Sequence, residues 1–375
     1  MKYDFDAIIP RNGSGAVKCD GLMQWYGKSD LLPMWVADMD FATPDFIVEA
    51  LKARLDHPIF GYTMEPERYR GSIVDWVARR HGWKIEQQWV SFIPGIVRGI
   101  AMAIGALLKA GDKVIIQPPV YHPFRNVAEH NGCQVVENPL IERGDGSYSM
   151  DFDHLESVAD GCKMLILANP HNPIGILWDR DTLVRLAQIC YKRGIVVISD
   201  EIHSDMALWG KSHIPFASVS AEAAECSITF GAPSKTFNIA GMIGSYHIIY
   251  NDRLRDRMDK ESSLSHYNSM NVLSMHALIG AYKPEGYVWD RKPVWGYVNE
   301  ADPSVMEMEI ACAAAHGVNV FIYDWYWYDG KPFLEQCLDN GFLGAKNNDR
   351  MKFYLMWANH DAMSLWDKRT AELST

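Results

Sequence analysis

In KMLILANPHNPIG, residues 163–175, an apolar run from Met164 to Ala168 breaks at Asn169-Pro170. Apolar residues without polar alternation mark a strand buried on both faces, as in parallel sheets. The pattern repeats outward from it. Downstream, Thr182–Arg193 reads as a helix closed by Gly194, and Ile195–Ser199 as a strand ending at Asp200-Glu201. Cys226–Phe230 is a further strand, followed by a Gly-Ala-Pro-Ser loop. Upstream, Gly99–Lys109 reads as a helix stopped by Ala110-Gly111, and Lys113–Gln117 as a strand ended by Pro118-Pro119. Strands alternating with helices predict an α/β fold, a mostly parallel sheet with helices on both faces. Ligands of such sheets bind beyond the carboxyl ends of the strands, so the polar residues there are the first candidates for chemistry.

Composition narrows the function classes. The 375 residues are 48% apolar and 22% charged, which excludes a disordered chain and predicts two or three domains. With 36 Lys+Arg against 47 Asp+Glu the net charge is -11, and nucleic acid is not an expected partner. The opening MKYDFDAIIP lacks a basic, then apolar, signal-peptide pattern. No apolar stretch reaches the ~20 residues of a membrane span. Cys19, Cys133, Cys162, Cys190, Cys226, Cys312 and Cys337 are odd in number and widely spaced. That pattern predicts free thiols in a cytoplasmic protein, with no structural metal. Tyr26-Gly27-Lys28-Ser29 mimics the end of a phosphate-binding loop, but Leu22 stands where its first glycine is required. His122, His171 and His203 lack metal-ligand spacing and are expected to play supporting roles.

Four residues follow the strands: Tyr121 in PVYHPF, Asn172 in NPHNPIG, Asp200 in SDEIHSD and Lys235 in APSKTFNIAG. Singly, each has an ordinary explanation: core, turn, cap and solvated surface. Together they suit pyridoxal 5'-phosphate (PLP). That cofactor needs a lysine for a Schiff base, a carboxylate for the pyridine nitrogen, a stacking ring and an amide donor to the phenolate oxygen. Its phosphate needs backbone amides at a helix start and a hydroxyl. Pro94-Gly95-Ile96-Val97 opens a helix, and Ser234 precedes the lysine.

With these pieces in place, residues 1–289 resemble a fold-type I PLP enzyme of the MalY/PatB group of cystathionine β-lyases, with an N-terminal arm on its large domain. The resemblance rests on LPMWVADMDFATP at 32–44, FGYT at 60–63, PGIVRGI at 94–100, PPVYHPF at 118–124, NPHNPIG at 169–175, DEIHSD at 200–205 and APSKTFNIAG at 232–241. It implies that Lys235 is the Schiff-base lysine, Asp200 the pyridinium partner, Tyr121 the stacking ring and Asn172 the phenolate donor. Ile96, Val97 and Ser234 would hold the phosphate, and Ile202 would press on the ring face opposite Tyr121. His203 would support the site. Tyr62 would reach the phosphate of a neighbouring subunit's cofactor, which implies a homodimer. The implied reaction is α,β-elimination from cystathionine or a cysteine S-conjugate, releasing thiol, pyruvate and ammonia. Lys235 would remove the Cα proton. An aminotransferase shares every cofactor-binding group and stands as the alternative.

Near residue 290 the text changes. Lys283-Pro284-Glu285-Gly286 and Arg291-Lys292-Pro293 bracket an irregular stretch. Beyond it a β-α-β-α-β pattern is expected: strand 294–298, helix 304–316, strand 318–323, helix 333–340 and strand 353–357. Fold-type I enzymes place there a small domain with the arginine that pairs with the substrate carboxylate. That domain is expected to be missing, since Arg291, Arg350 and Arg369 sit in unrelated contexts. Its absence leaves room for an inactive or regulatory PLP-binding protein. Residues 290–375 instead resemble the opening of a WbsX-type protein, related to glycoside hydrolase family 99-like (β/α) barrels. The resemblance is carried by PVWGYVNEADP, the aromatic run 323–328 and Trp357-Ala358-Asn359-His360. A partial barrel is expected, and aromatic stacking on sugars would be its carbohydrate-active reading. The acidic pair such chemistry needs is not assigned; Glu300 and Asp324 are candidates only.

Overall fold

The computed structural model describes residues 4–144, 146–267, 270–282, 299–328, 331–333 and 335–357, with 324–328, 331–333 and 357 as backbone only. The chain divides into two compact units: Met1–Ile141 with Tyr148–Tyr287, and Glu142–Ser147 with Val288–Thr375.

The first unit is built on a seven-stranded sheet. Its strands are β1 (Val90–Ile93), β2 (Lys113–Ile116), β3 (Gln134–Glu137), β4 (Cys162–Ala168), β5 (Val196–Asp200), β6 (Ser227–Gly231) and β7 (Ser245–Ile248). They lie in the order β1-β7-β6-β5-β4-β2-β3. Only β7 runs against its neighbours; the β3-β2-β4-β5-β6 block is parallel. The register sets Ala168 beside Asp200 and Asp200 beside Phe230, so three strands end level with one another.

The apolar run that opened the reading is divided between the two faces of the sheet. Met164, Ile166 and Ala168 belong to one core layer, and Leu165 and Leu167 to the other. The helices around them are α1 (Asp45–Leu55), α2 (Arg68–His81), α3 (Ile96–Leu107), α4 (Pro123–His130), α5 (Phe152–Val158), α6 (Arg180–Arg193), α7 (Asp252–Leu264) and α8 (Val272–Tyr282). Ile100 and Ile104 of α3, Phe124 of α4 and Met258 of α7 pack in the first layer. Leu155 of α5 and Leu183, Leu186 and Ala187 of α6 pack in the second. A third core joins Ile47 of α1, Ile73 and Trp76 of α2 and Leu278 of α8 to Val90 and Ile248 at the β1-β7 edge. Each fully buried side chain of this size contributes about 1.5–3 kcal/mol relative to exposure.

Element ends differ from the periodicity reading by a few residues, for local reasons. Helix α6 starts at Arg180 because Asp179 accepts the Thr182 N–H at 2.7 Å. It stops at Gly194, whose φ of +66° suits glycine. Helix α3 starts at Ile96, where Pro94-Gly95-Ile96-Val97 opens it, three residues before the Gly99–Lys109 periodicity begins. Gly95, at φ +112°, turns the chain from β1 straight into the helix.

In the second unit, α9 (Pro303–Ala315) is capped by Asp302, which accepts the Ser304 N–H at 2.8 Å. It packs Met306 and Ile310 against Leu338, Phe342 and Met351. Strands β8 (Val320–Tyr328) and β10 (Lys352–Trp357) are parallel, and β9 (Lys331–Phe333) pairs antiparallel with the end of β8. The helix predicted for 333–340 is therefore corrected. Lys331–Phe333 is instead a strand paired with Tyr326–Tyr328. Only a π-helical stretch, Cys337–Phe342, follows. The predicted strand 294–298, the side chains of Asp324 and residues 325–328, and Ala358-Asn359-His360 lie outside the described residues. So do Arg291 and Arg369.

Candidate active site

The strand-end loops of the first unit converge. Asn169 N–H donates to Asp200 O at 2.9 Å, and Glu201 N–H to Phe230 O at 2.9 Å, so the chain just beyond β4 is held to the end of β5, and that beyond β5 to the end of β6. Tyr121 N–H donates to Asn172 O at 3.0 Å, which joins the segment after β2 to the one after β4. Tyr121 keeps about a third of its surface exposed and sets its ring edge-on to Phe124 at 5.7 Å.

Asp200 is the most perturbed group there. Burial pushes its carboxyl up to about 7, and the charge of Glu201 adds to this. The Ile202 N–H, donating to Asp200 Oδ1 at 3.1 Å, and the charge of Lys235 act the other way. Burial also raises the Tyr121 phenol, with a contribution from Asp200. His203 is pushed down to about 4 by burial and then by Lys235, so it is neutral at pH 7. Asp200 thus lies within electrostatic reach of Tyr121 and of Lys235, and His203 within reach of Lys235. Among the described residues neither Asp200 nor Lys235 has an ion-pair partner.

Lys235 and Ser234 are half-buried on a tight turn, closed by Phe237 N–H to Pro233 O and Ile239 N–H to Ser234 O, both 3.0 Å. Ile96 and Val97 open α3, where no side chain caps the first N–H groups. They share a core layer with Ile202. Helix α3 can lie close to the sheet because Gly99 faces Ile93 and Phe230; a Cβ there would stand 2.6 Å from Ile93 Cδ1. Asn172 is half-buried. Tyr62 differs from these in being fully exposed.

A buried polar network behind the site was not anticipated from sequence. Asp205 accepts from Trp76 Nε1 at 3.0 Å and Thr236 Oγ1 at 3.4 Å, and pairs with His81 at 3.2 Å and Arg80 at 3.5 Å. Glu201 accepts from Ser199 Oγ at 2.8 Å and the Phe216 N–H at 2.9 Å, and meets His213 Nε2 at 2.8 Å. The His81 and His213 rings meet edge-on at 5.2 Å, so the two clusters touch. The doubled acid in DEIHSD, one member on each side of the loop, was the available signal.

The residues present suit PLP. A buried carboxyl that holds its proton so high needs a cationic partner, which a protonated ring nitrogen supplies. An uncapped helix start suits a phosphate, and a half-buried lysine amine suits an aldehyde. Among the described residues no cluster of three metal-ligating side chains occurs, and no helix is long and apolar enough to cross a membrane.

Comparison with known proteins agrees with this chemistry. The aminotransferase class I and II family matches residues 29–283, and the glycosyltransferase WbsX family matches residues 286–374. Cystathionine beta-lyase PatB of Bacillus subtilis is 44% identical over 285 residues, covering 76% of this chain and 73% of that protein. Protein MalY of Escherichia coli is 35% identical over 292 residues, with the same coverage of each. Among solved structures, cystalysin of Treponema denticola, which contains pyridoxal 5'-phosphate, matches with a TM-score of 0.73 at 36% identity. That match covers 76% of this chain and 73% of cystalysin. The chain belongs to the aminotransferase class I and II family of PLP enzymes, in the group of the PatB and MalY proteins.

Proposed function

We propose that the protein is a PLP-dependent carbon–sulfur β-lyase acting on cystathionine or cysteine S-conjugates. The observation that supports this is the buried Asp200 at the end of β5, level with the end of β4, with Lys235 on the tight turn that follows β6 and its charge acting on the Asp200 carboxyl. When bound, the cofactor supplies an aldehyde for the amine and a ring that takes up carbanion electrons. In this reading Asp200 holds the ring-nitrogen proton and Tyr121 covers one ring face. Ile202 would press on the other face, and Asn172 would donate to the phenolate oxygen. Ile96 and Val97 N–H groups with Ser234 bind the phosphate, while neutral His203 packs beside Lys235. Lys235 removes the substrate Cα proton, and the thiolate leaves from Cβ. With water added, cystathionine yields homocysteine, pyruvate and ammonia.

Two finer points belong to the same proposal. Ile59, Phe60, Tyr62 and Met64 are exposed together, which suits a homodimer in which Tyr62 serves the neighbouring subunit. All seven cysteines are free thiols, which accords with a cytoplasmic location.

The test is a visible spectrum of the purified chain with PLP, then borohydride reduction and peptide mapping. A band with the adduct at Lys235, followed by pyruvate release from cystathionine, supports the lyase. Amino transfer that depends on an added keto acid, without pyruvate release, replaces it with an aminotransferase. Label scattered over surface lysines removes both.

A further inference from the structure

The turn that carries Lys235 is pinned, one turn further on, to a segment nearly two hundred residues away in sequence. Asn238 Oδ1 accepts the Met39 N–H at 2.9 Å. Its Nδ2 donates to Met39 O at 2.8 Å and Phe41 O at 3.1 Å. The side-chain amide thus pairs with both polar groups of Met39, as a neighbouring strand would. The Asn238 backbone stands at φ +56°, a conformation that asparagine tolerates better than most residues. The arm it grips is braced in turn: Arg11 pairs with Asp38 and Asp40, and Lys18 Nζ donates to Asp38 O at 2.9 Å. Arm and turn together line a cleft of about 340 Å³, with Arg11, Asp38, Met39 and Phe41 on one side and Asn238 and Gly241 on the other.

Lys235 lies within the turn closed by the Pro233–Phe237 and Ser234–Ile239 hydrogen bonds. A shift of Asn238 therefore moves the backbone that carries the lysine. We propose that Asn238 is a positioning residue that locks the N-terminal arm onto the lysine turn, so that docking of the arm fixes where the Lys235 amine stands. This deepens the lyase reading and rests on Lys235 being the cofactor lysine.

The test uses the full chain loaded with PLP. Asn238→Gly keeps the positive φ and removes the amide. Asn238→Asp keeps the acceptor for Met39 N–H and removes both donors. Two quantities are read: the rate of trypsin cleavage in the arm, at Arg11, Lys18 and Lys28, and the pH midpoint of the visible band of the lysine-linked cofactor. The expected result is cleavage faster by about tenfold, as local opening becomes easier, together with a midpoint shift of about half a pH unit or more. Faster cleavage with an unmoved midpoint overturns the proposal, because the contact then anchors the arm and nothing more. Unchanged cleavage overturns it as well. Should the glycine variant not accumulate, the aspartate variant carries the same comparison. A wild-type adduct that does not map to Lys235 overturns the lyase reading and this proposal with it. An adduct at Lys235 with unmoved midpoints overturns this proposal alone.

Discussion

Asp205 Oδ2 accepts the Trp76 indole N–H at 3.0 Å, and this bond ties the loop that begins at Asp200 to helix α2. The same carboxylate receives Thr236, the residue after Lys235. One buried acid therefore meets the loop that begins at Asp200, the turn that carries Lys235 and a helix of the surrounding core. Phe237 adds an edge-on contact to Trp76 at 5.6 Å, so two successive residues after Lys235 rest on this anchor.

Removing Asp205 is expected to be costly. Burial raises its carboxyl, but the hydrogen bond and charge of His81, with Arg80 and Trp76, outweigh that and hold it below the ordinary carboxylate range. Asp205→Ala leaves His81 and the Trp76 indole buried without their acceptor, a loss of about 3 kcal/mol in urea unfolding. Asp205→Asn, which still accepts from Trp76, is expected to lose less. The pH sign follows from the depressed pKa. The stabilisation is present above the ordinary carboxylate pKa and is lost as pH falls through the lower folded value. Wild type should therefore lose stability more steeply than Asp205→Asn in acid below about pH 4. Parallel acid curves for the two proteins contradict the assignment.

Asp200 behaves in the opposite sense. Its folded pKa is raised to about 7, so the cofactor-free chain binds its proton more tightly than the unfolded chain does. The associated stability is present below the ordinary carboxylate range and drains away as pH rises from there through about 7. Without cofactor, Asp200→Asn is expected to melt higher than wild type at pH 8 and to show a flatter pH profile. With PLP the order reverses, since the variant cannot hold a ring-nitrogen proton. Thermal melts at pH 5 and pH 8, with and without PLP, read both effects. A cofactor-free variant that melts below wild type at pH 8 refutes the desolvation argument.

Gly95 isolates backbone geometry from packing. Its φ of +112° and ψ of 152° lie in a region that side chains avoid, yet a Cβ there would meet nothing within 4 Å. Gly95→Ala is therefore expected to cost about 1–3 kcal/mol through strain alone. It should also weaken PLP binding, because the first N–H groups of α3 turn with the residue. Gly99→Ala fails for a different reason, the contact with Ile93 and Phe230. Urea unfolding and PLP titration of both variants separate these causes: Gly95→Ala should lose cofactor affinity beyond its stability loss, and Gly99→Ala should not.

The strand-end logic explains which parts of the site were legible. Lys163–Ala168, Ile195–Ser199 and Cys226–Phe230 read as buried strands because both faces of each are covered, so tertiary context and local pattern agree. Asp200 and Lys235 stood out because polar residues follow apolar runs there. Asp205, His81 and Trp76 were illegible, because their meeting depends on α2 crossing behind the loop, some 125 residues away in sequence. Asn238 was hidden similarly, since a side chain that imitates a strand leaves no periodicity. In the second unit the helix predicted for 333–340 failed at its start, where Phe333 is drawn into pairing with Tyr326.

Tyr62 offers the sharpest test of the assembly. It is fully exposed, and the proposed role for it is in the site of a second chain. If two subunits exchange Tyr62, mixing Lys235→Ala chains with Tyr62→Ala chains creates dimers holding one intact site. In such a dimer the Tyr62→Ala subunit contributes its own Lys235 and borrows Tyr62 from the Lys235→Ala subunit. After random exchange of equal amounts, about one quarter of all sites are then wild type. Pyruvate release from cystathionine should rise above the sum of the separate variants and grow with the time allowed for exchange. If Tyr62 instead acted within its own chain, every site in the mixture would carry one defect. Mixing would then give only the sum.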